Sequence, residues 1–335
     1  MIDALTNNRF VSHFGLTAPI ALAPMALATG GELAAACAKA GALSLVGGAY
    51  GDLEWTRREY SLALDALSAE ASALARLGCG FISWKLAEDR SALDWVLDQE
   101  HQPTAIMLSF GDPSGLALSI TDRDIPLICQ IQAMSQLPQA IDAGASVIVA
   151  QGGEAGGHGL NARDGRSTFT FVPEIADRLA AHNPEIMLLA AGGIADGRGL
   201  AAATMLGADG ALVGSRLWAT RESLAPAKAI AEAVRSDGNS TARSSIFDIL
   251  REKNWPSEFD FRALRNDIHR EWEERIDDLR ESPKPARESY RDGVLNQDYT
   301  RAHVTVGEAT GLIYKLESAG DVIRSMNRQA RQLTA

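Results

Sequence analysis

The stretch Q-G-G-E-A-G-G-H-G at 151–159 holds the residue types in this chain best suited to chemistry. Glycine pairs let backbone approach a ligand with no Cβ in the way, and the second pair delivers one imidazole, His158, to the same place. The preceding run S-V-I-V-A is apolar, so the glycines begin where a strand ends. The spacing predicts a cofactor loop with a single acid/base side chain. A flexible turn with an exposed histidine is the competing reading, but a turn needs one or two glycines, not five. Two further segments, A-G-G-I-A-D-G at 191–197 and G-S-R at 214–216, also follow apolar runs. Their backbone N–H groups, and the helices that follow, can face a phosphate. Ordinary glycine helix stops are the alternative there.

Positioning such loops requires strands that all end on one side. Short apolar runs occur at 19–25, 42–46, 78–83, 105–109, 125–131, 145–150, 185–191 and 210–213. Helical patterns separate them, at 32–40, 53–77, 87–100, 173–181 and 197–206. Strands apolar on both faces and alternating with helices indicate a parallel sheet covered by helices, and eight such units make an α/β fold of the (β/α)8 TIM-barrel kind. In that architecture chemistry gathers at the strand ends, and phosphate is often held after strands seven and eight. Those are the positions of the 191–197 and 214–216 loops.

After Ala219 the pattern changes. Residues 223–304 are densely charged, as in H-R-E-W-E-E-R-I-D-D-L-R, and show no strand-helix alternation. They read as a smaller, mostly helical substrate or lid lobe over the barrel mouth, a solvated charged helix being the alternative. Glycines return in T-V-G-E-A-T-G at 305–311, and 319–335 reads as an amphipathic helix returning to the barrel wall. The expected division is a barrel over 1–222, completed by 305–335, with the lobe at 223–304.

Composition narrows the function. The 335 residues are 46% hydrophobic and 22% charged, which suits a globular protein with a substantial core. A formal charge of -11 with no basic stripe argues against nucleic-acid binding. Cys37, Cys79 and Cys129 are widely spaced in apolar surroundings and read as buried thiols of a reducing compartment. With no leader-like start and no membrane-length apolar run, a cytoplasmic location is expected. A homodimer is left open. The dinucleotide pattern G-x-G-x-x-G is absent between strand and helix; G-C-G-F-I-S at 78–83 sits inside a strand. His13, His101, His182, His269 and His303 are scattered, and Glu154 with His158 shares no helix, so metal ligation is poorly supported. No G-x-S-x-G nucleophile turn occurs. What remains is one phosphate end, a polar strand-end residue, Gln130, and one histidine. That combination fits FMN lying across a barrel mouth.

The segments A-P-M at 23–25, G-G-A-Y-G-D at 47–52, M-L-S-F-G-D-P at 107–113, I-V-A-Q-G-G-E-A-G-G-H-G at 148–159, A-A-G-G-I-A-D-G-R-G-L-A-A-A at 190–203 and G-A-D-G-A-L-V-G-S-R at 207–216 occur in one order and spacing. Together, from about residue 19 to 220, they resemble the nitronate monooxygenase family, formerly called 2-nitropropane dioxygenases. The resemblance implies an FMN-binding TIM barrel that oxidatively denitrifies alkyl nitronates with O2 to a carbonyl compound and nitrite. It implies flavin-ring contacts at Ala23, Pro24 and Met25, and a polar flavin contact at Gln130. Gln151, Gly156 and Gly157 would line the ring and ribityl chain; Gly192, Gly193, Gly214 and Ser215 would hold the phosphate. His158 matches the catalytic histidine. One departure is Gly80, which stands where the family usually has asparagine.

Chemistry gives His158 two roles: a neutral imidazole removes the slow α-proton of a nitroalkane, and a protonated one steadies a nitronate anion. Tyr50, Trp84, Lys85 and Tyr314 are candidate pocket walls, with packing or surface roles as the alternative. An FMN-dependent NAD(P)H:quinone or enoyl-thioester reductase could use the same barrel and histidine, and a non-catalytic flavin binder or a phosphosugar lyase or isomerase are rivals from other classes.

Overall fold

The chain's structure is a computed structural model that describes residues 8–335. Eight parallel strands close into a barrel: β1 (Ile20–Leu22), β2 (Leu43–Gly47), β3 (Leu77–Ile82), β4 (Ile106–Ser109), β5 (Leu127–Ile131), β6 (Val147–Gln151), then β8 (Met187–Ala191) and β9 (Gly210–Val213), which pairs back to β1. This is the TIM barrel that the apolar runs predict. Each strand is buried on both faces, which is why it reads as a continuous apolar run. Ala21, Leu43, Leu45, Met107, Ile128, Val147, Val149, Met187, Leu189 and Leu212 fill the barrel interior. Phe10 and Phe14, on and just after the helix Arg9–His13, join the same cluster and close the end opposite the strand termini. The alternate strand residues pack outward against the helices.

Helices follow the strands at Gly31–Lys39, Leu53–Leu67, Ser91–Leu97, Ser114–Thr121, Leu137–Asp142, Thr168–His182 and Gly197–Met205. The helix expected over 53–77 ends at Leu67; a separate turn of helix, Ala71–Leu74, precedes β3. The last helix, Ala319–Thr334, returns to the wall beside Gly197–Met205. The approach is close: a Cβ on Gly197 would lie 2.5 Å from Ala330 N, and the Gly197 N–H donates to Gln329 Oε1 at 2.8 Å.

Two expectations are corrected. His158 is not on a loop but on a strand, β7 (Gly157–Leu160), outside the barrel. The region 223–304 holds five helices among the described residues, but also β10 (Thr241–Ser244) and β11 (Phe259–Leu264). β10, β11 and β7 form an antiparallel sheet in which Phe261 pairs with His158. F-D-F-R-A-L carries the period-2 pattern of a half-buried strand, with Phe259 and Phe261 buried and Asp260 and Arg262 partly exposed. The charge density around it masked that signal.

Candidate functional site

The ends of the barrel strands and the 223–304 region enclose a cavity of about 440 Å³, within the roughly 300–1,000 Å³ usual for cofactor and ligand pockets. Ala23, Pro24 and Met25 line it after β1; Gln130 and Gln151 line it at the ends of β5 and β6. Gly156, Gly157 and His158 enter from the segment after β6, Gly192 and Gly193 after β8, and Gly214 and Ser215 after β9. Every residue singled out in the sequence as a cofactor or catalytic candidate therefore faces one space. Of the four candidate wall residues, Tyr50 lines the cavity; Trp84, Lys85 and Tyr314 do not, and Tyr314 is exposed.

The glycines earn their places by steric closeness. Gly156 and Gly307 pack backbone to backbone, and a Cβ on Gly156 would lie 2.5 Å from Gly307 N. Gly192 and Gly193 adopt φ of +100° and +76°, a region L side chains rarely enter. At Gly214 a Cβ would meet only Met25 Sδ at 3.7 Å and Ala23 Cβ at 3.9 Å, so it would fill open cavity. Gly80 is different: a Cβ there would fall 2.3 Å from Pro24 Cγ. Pro24 occupies the space that a longer residue at 80 would need.

Two details depart from the sequence reading of the phosphate end. The N-terminus of the helix Gly197–Met205 is already satisfied, with Asp196 accepting from Arg198 N and Gly199 N and Gln329 accepting from Gly197 N. Its dipole is not free for a phosphate. The Ser215 hydroxyl accepts a 2.9 Å hydrogen bond from Gly307 N–H, tying the 305–311 segment to the barrel mouth.

His158 is almost fully buried, and its Nε2 lies 2.9 and 3.1 Å from the two oxygens of Asp248 on the helix Ile246–Leu250. A carboxylate only accepts, so Nε2 carries the hydrogen and Nδ1 is left with its lone pair. Trp255 stacks on the imidazole, ring centroids 3.4 Å apart and planes 12° apart, and Phe261 tilts against it at 4.8 Å. Burial pulls the imidazole down to about pKa 4, against the upward pull of Asp248 and aided by the charges of Arg251 and Arg243. The ring is neutral near pH 7.

Amide and guanidinium contacts hold the histidine segment. Gln130 Nε2 donates to Gln151 Oε1, and Gln151 Nε2 donates to the His158 carbonyl at 2.8 Å. Arg243, half-buried on β10, donates to the carbonyls of Ala155 and Asp260 at 2.7 Å and of Gly153 and Gly157 at 3.3 Å. Arg262, its cross-strand partner on β11, donates twice to the Gly153 carbonyl. A Cβ on Gly159 would lie 2.9 Å from Arg243 Nη1, so that glycine makes room for the guanidinium. Much of the glycine-rich stretch thus turns its carbonyls to two arginines from a distant part of the chain.

Sequence reasoning missed Asp248, Trp255, Arg243 and Arg251. A faint signal existed for Asp248, an acid inside the apolar run I-F-D-I-L. Nothing local points to the others. Among the described residues no cluster of His, Cys, Asp and Glu suits a metal ion, and no helix is long and apolar enough to cross a membrane. All three cysteines are buried and free, as expected, and burial raises their thiol pKa values.

Known proteins resemble this chain in sequence and in fold. A nitronate monooxygenase of Neurospora crassa is 32% identical, the alignment covering 92% of this chain and 88% of that protein. The nitronate monooxygenase npaC of Metarhizium robertsii is 32% identical, covering 93% and 90%. Among solved structures, FabK from Thermotoga maritima matches with a TM-score of 0.79 at 22% identity, covering 98% of this chain and 97% of its own. A nitroalkane oxidase from Streptomyces ansochromogenes matches at 0.77 and 20% identity, covering 97% and 100%. At those identities the solved structures speak to the fold. The nitronate monooxygenase family model matches residues 81–329. With the strand-end glycines and the buried imidazole of one cavity accounted for on the same stretch, the chain belongs to the nitronate monooxygenase family of enzymes.

Proposed function

We propose that the chain binds FMN in the barrel-mouth cavity and oxidises alkyl nitronates, and nitroalkanes through their nitronates, with O2 to a carbonyl compound and nitrite. The observation that carries this reading is a buried imidazole paired with Asp248 and facing the same cavity as the strand-end glycines. The residues present fit the cofactor: a Cβ on Gly214 would fill open cavity at the end of the eighth barrel strand, where Gly192, Gly193, Gly214 and Ser215 would meet the phosphate. Ala23, Pro24 and Met25 would lie along the ring, with Gln130, Gln151, Gly156 and Gly157 beside the ring and ribityl chain. When bound, FMN supplies electron transfer and the reaction with oxygen.

The chain's own groups do the rest. With Nε2–H held by Asp248, His158 presents Nδ1 as the base that takes the α-proton of a neutral nitroalkane. A nitronate arrives without that proton, so the ring, neutral near pH 7, takes none from it. Trp255, Phe110 and Phe261 wall the site with apolar surface and keep water from the imidazole. The test is direct. FMN-loaded protein is given propane-2-nitronate, and oxygen uptake and nitrite are measured, with NADH plus quinone as the counter-assay. Nitrite formation that depends on His158 supports the reading; rapid NADH oxidation without nitrite replaces it with a reductase.

A further inference from the structure

We infer that Arg251 is the residue that recognises the negative charge of the substrate, and so sets the preference for a nitronate over the neutral nitroalkane. This rests on the function proposed above. Among the described residues that line the cavity, Arg251 is the sole lysine or arginine. Its guanidinium is held in place: Cζ lies 4.9 Å over the Phe261 ring, and Nη2 donates to the Tyr50 hydroxyl at 3.3 Å. Nη1 is buried and has no hydrogen-bond acceptor among the described residues.

Asp248 does not remove that deficit. Its Oδ1 is 3.9 Å from Arg251 Nη1, beyond hydrogen-bond reach, and both of its oxygens are engaged by His158 Nε2. A buried donor without an acceptor is costly, and native proteins rarely keep one without a reason. A nitronate places its negative charge on two coplanar oxygens, the shape a planar guanidinium takes with two parallel N–H bonds. A neutral nitro group offers the same oxygens without the charge, so it gains less from Arg251. The cation therefore discriminates by charge, while His158 acts on the proton.

The experiment uses FMN-loaded protein, Arg251→Met to keep the apolar stem and Arg251→Lys to keep the charge without the fork. kcat/KM is measured for 2-nitropropane and for propane-2-nitronate, which share one carbon skeleton. Nitrate, a planar anion, is titrated separately by its effect on the tryptophan fluorescence of the protein, Trp255 being stacked on His158. With Arg251→Met, kcat/KM for the nitronate falls and the nitrate Kd rises, each about 10- to 100-fold, the span of a hydrogen bond to a charged group, while 2-nitropropane changes less than about threefold. Arg251→Lys recovers part of both losses. Equal losses for the two substrates, or an unchanged nitrate Kd, overturn the assignment. If the parent protein turns over neither substrate, the proposed function fails, and the nitrate titration still decides the role of Arg251.

Discussion

Replacing Asp248 by asparagine tests the imidazole pair most sharply. The substitution keeps the side-chain shape but removes the charge that holds the His158 Nε2 hydrogen at 2.9 and 3.1 Å. A hydrogen bond to a charged group contributes about 1.5–3 kcal/mol, and about 1.4 kcal/mol is tenfold in rate. An amide can also turn its NH2 toward Nε2, which moves the hydrogen to Nδ1 and blocks the lone pair that would take the substrate's proton. kcat/KM for nitroethane, which must lose a proton, should therefore fall about 10- to 100-fold on its neutral-pH plateau. Propane-2-nitronate, already ionised, should lose less. The pH profile carries a second signature. A base held at a pKa of about 4 is lost as pH falls through that value, so the parent enzyme's acid limb should lie near pH 4. Asp248 pulls that pKa up, and its removal should move the limb to still lower pH. Initial nitrite rates after pH jumps measure both. A plateau within about threefold of the parent, less than one weak hydrogen bond, or a limb that moves upward, would refute the pairing as the source of the base.

Stability should also fall in acid. Burial lowers His158 and His269 to about 4 and His303 to about 3, whereas the unfolded chain takes up these protons near 6.5. Because the unfolded state then binds more protons, folding free energy should drop as pH falls from about 6.5 toward 3–4, by several kcal/mol in all, visible as a falling Tm in calorimetry. A Tm that stays level across that window contradicts the burial of neutral imidazoles. Gly80→Asn should push Pro24 away, since its Cβ would sit 2.3 Å from Pro24 Cγ; overpacking of about 1–3 kcal/mol and weaker FMN retention should follow, read by Tm and flavin content. Arg243→Met should strand the carbonyls of Ala155, Gly157 and Asp260, each about 1–3 kcal/mol when buried and unsatisfied, and FMN dissociation should quicken more than in Arg243→Lys.

Local pattern determined the barrel. Strands such as I-A-L and M-L-L-A-A are buried on both faces, so burial writes itself into the sequence as an uninterrupted apolar run, and the glycines that end the runs mark where backbone must come close to backbone or ligand. That the eleven cofactor candidates and His158 face one cavity was legible for a related reason: they sit on or follow the ends of barrel strands, and a closed barrel gathers its strand ends. β11 was partly legible through its alternation, and the charged helices around it hid that.

The environment of His158 was decided only in three dimensions. Asp248 is 90 positions away in sequence, and Trp255, Arg243 and Arg251 come from the same distant region. Their contacts depend on β11 pairing with β7 on one side and β10 on the other, a register that no short window of sequence contains. An imidazole's charge state follows from what surrounds it, so the sequence could offer two protonation roles for His158, and burial, outweighing the pull of Asp248, selected the neutral one.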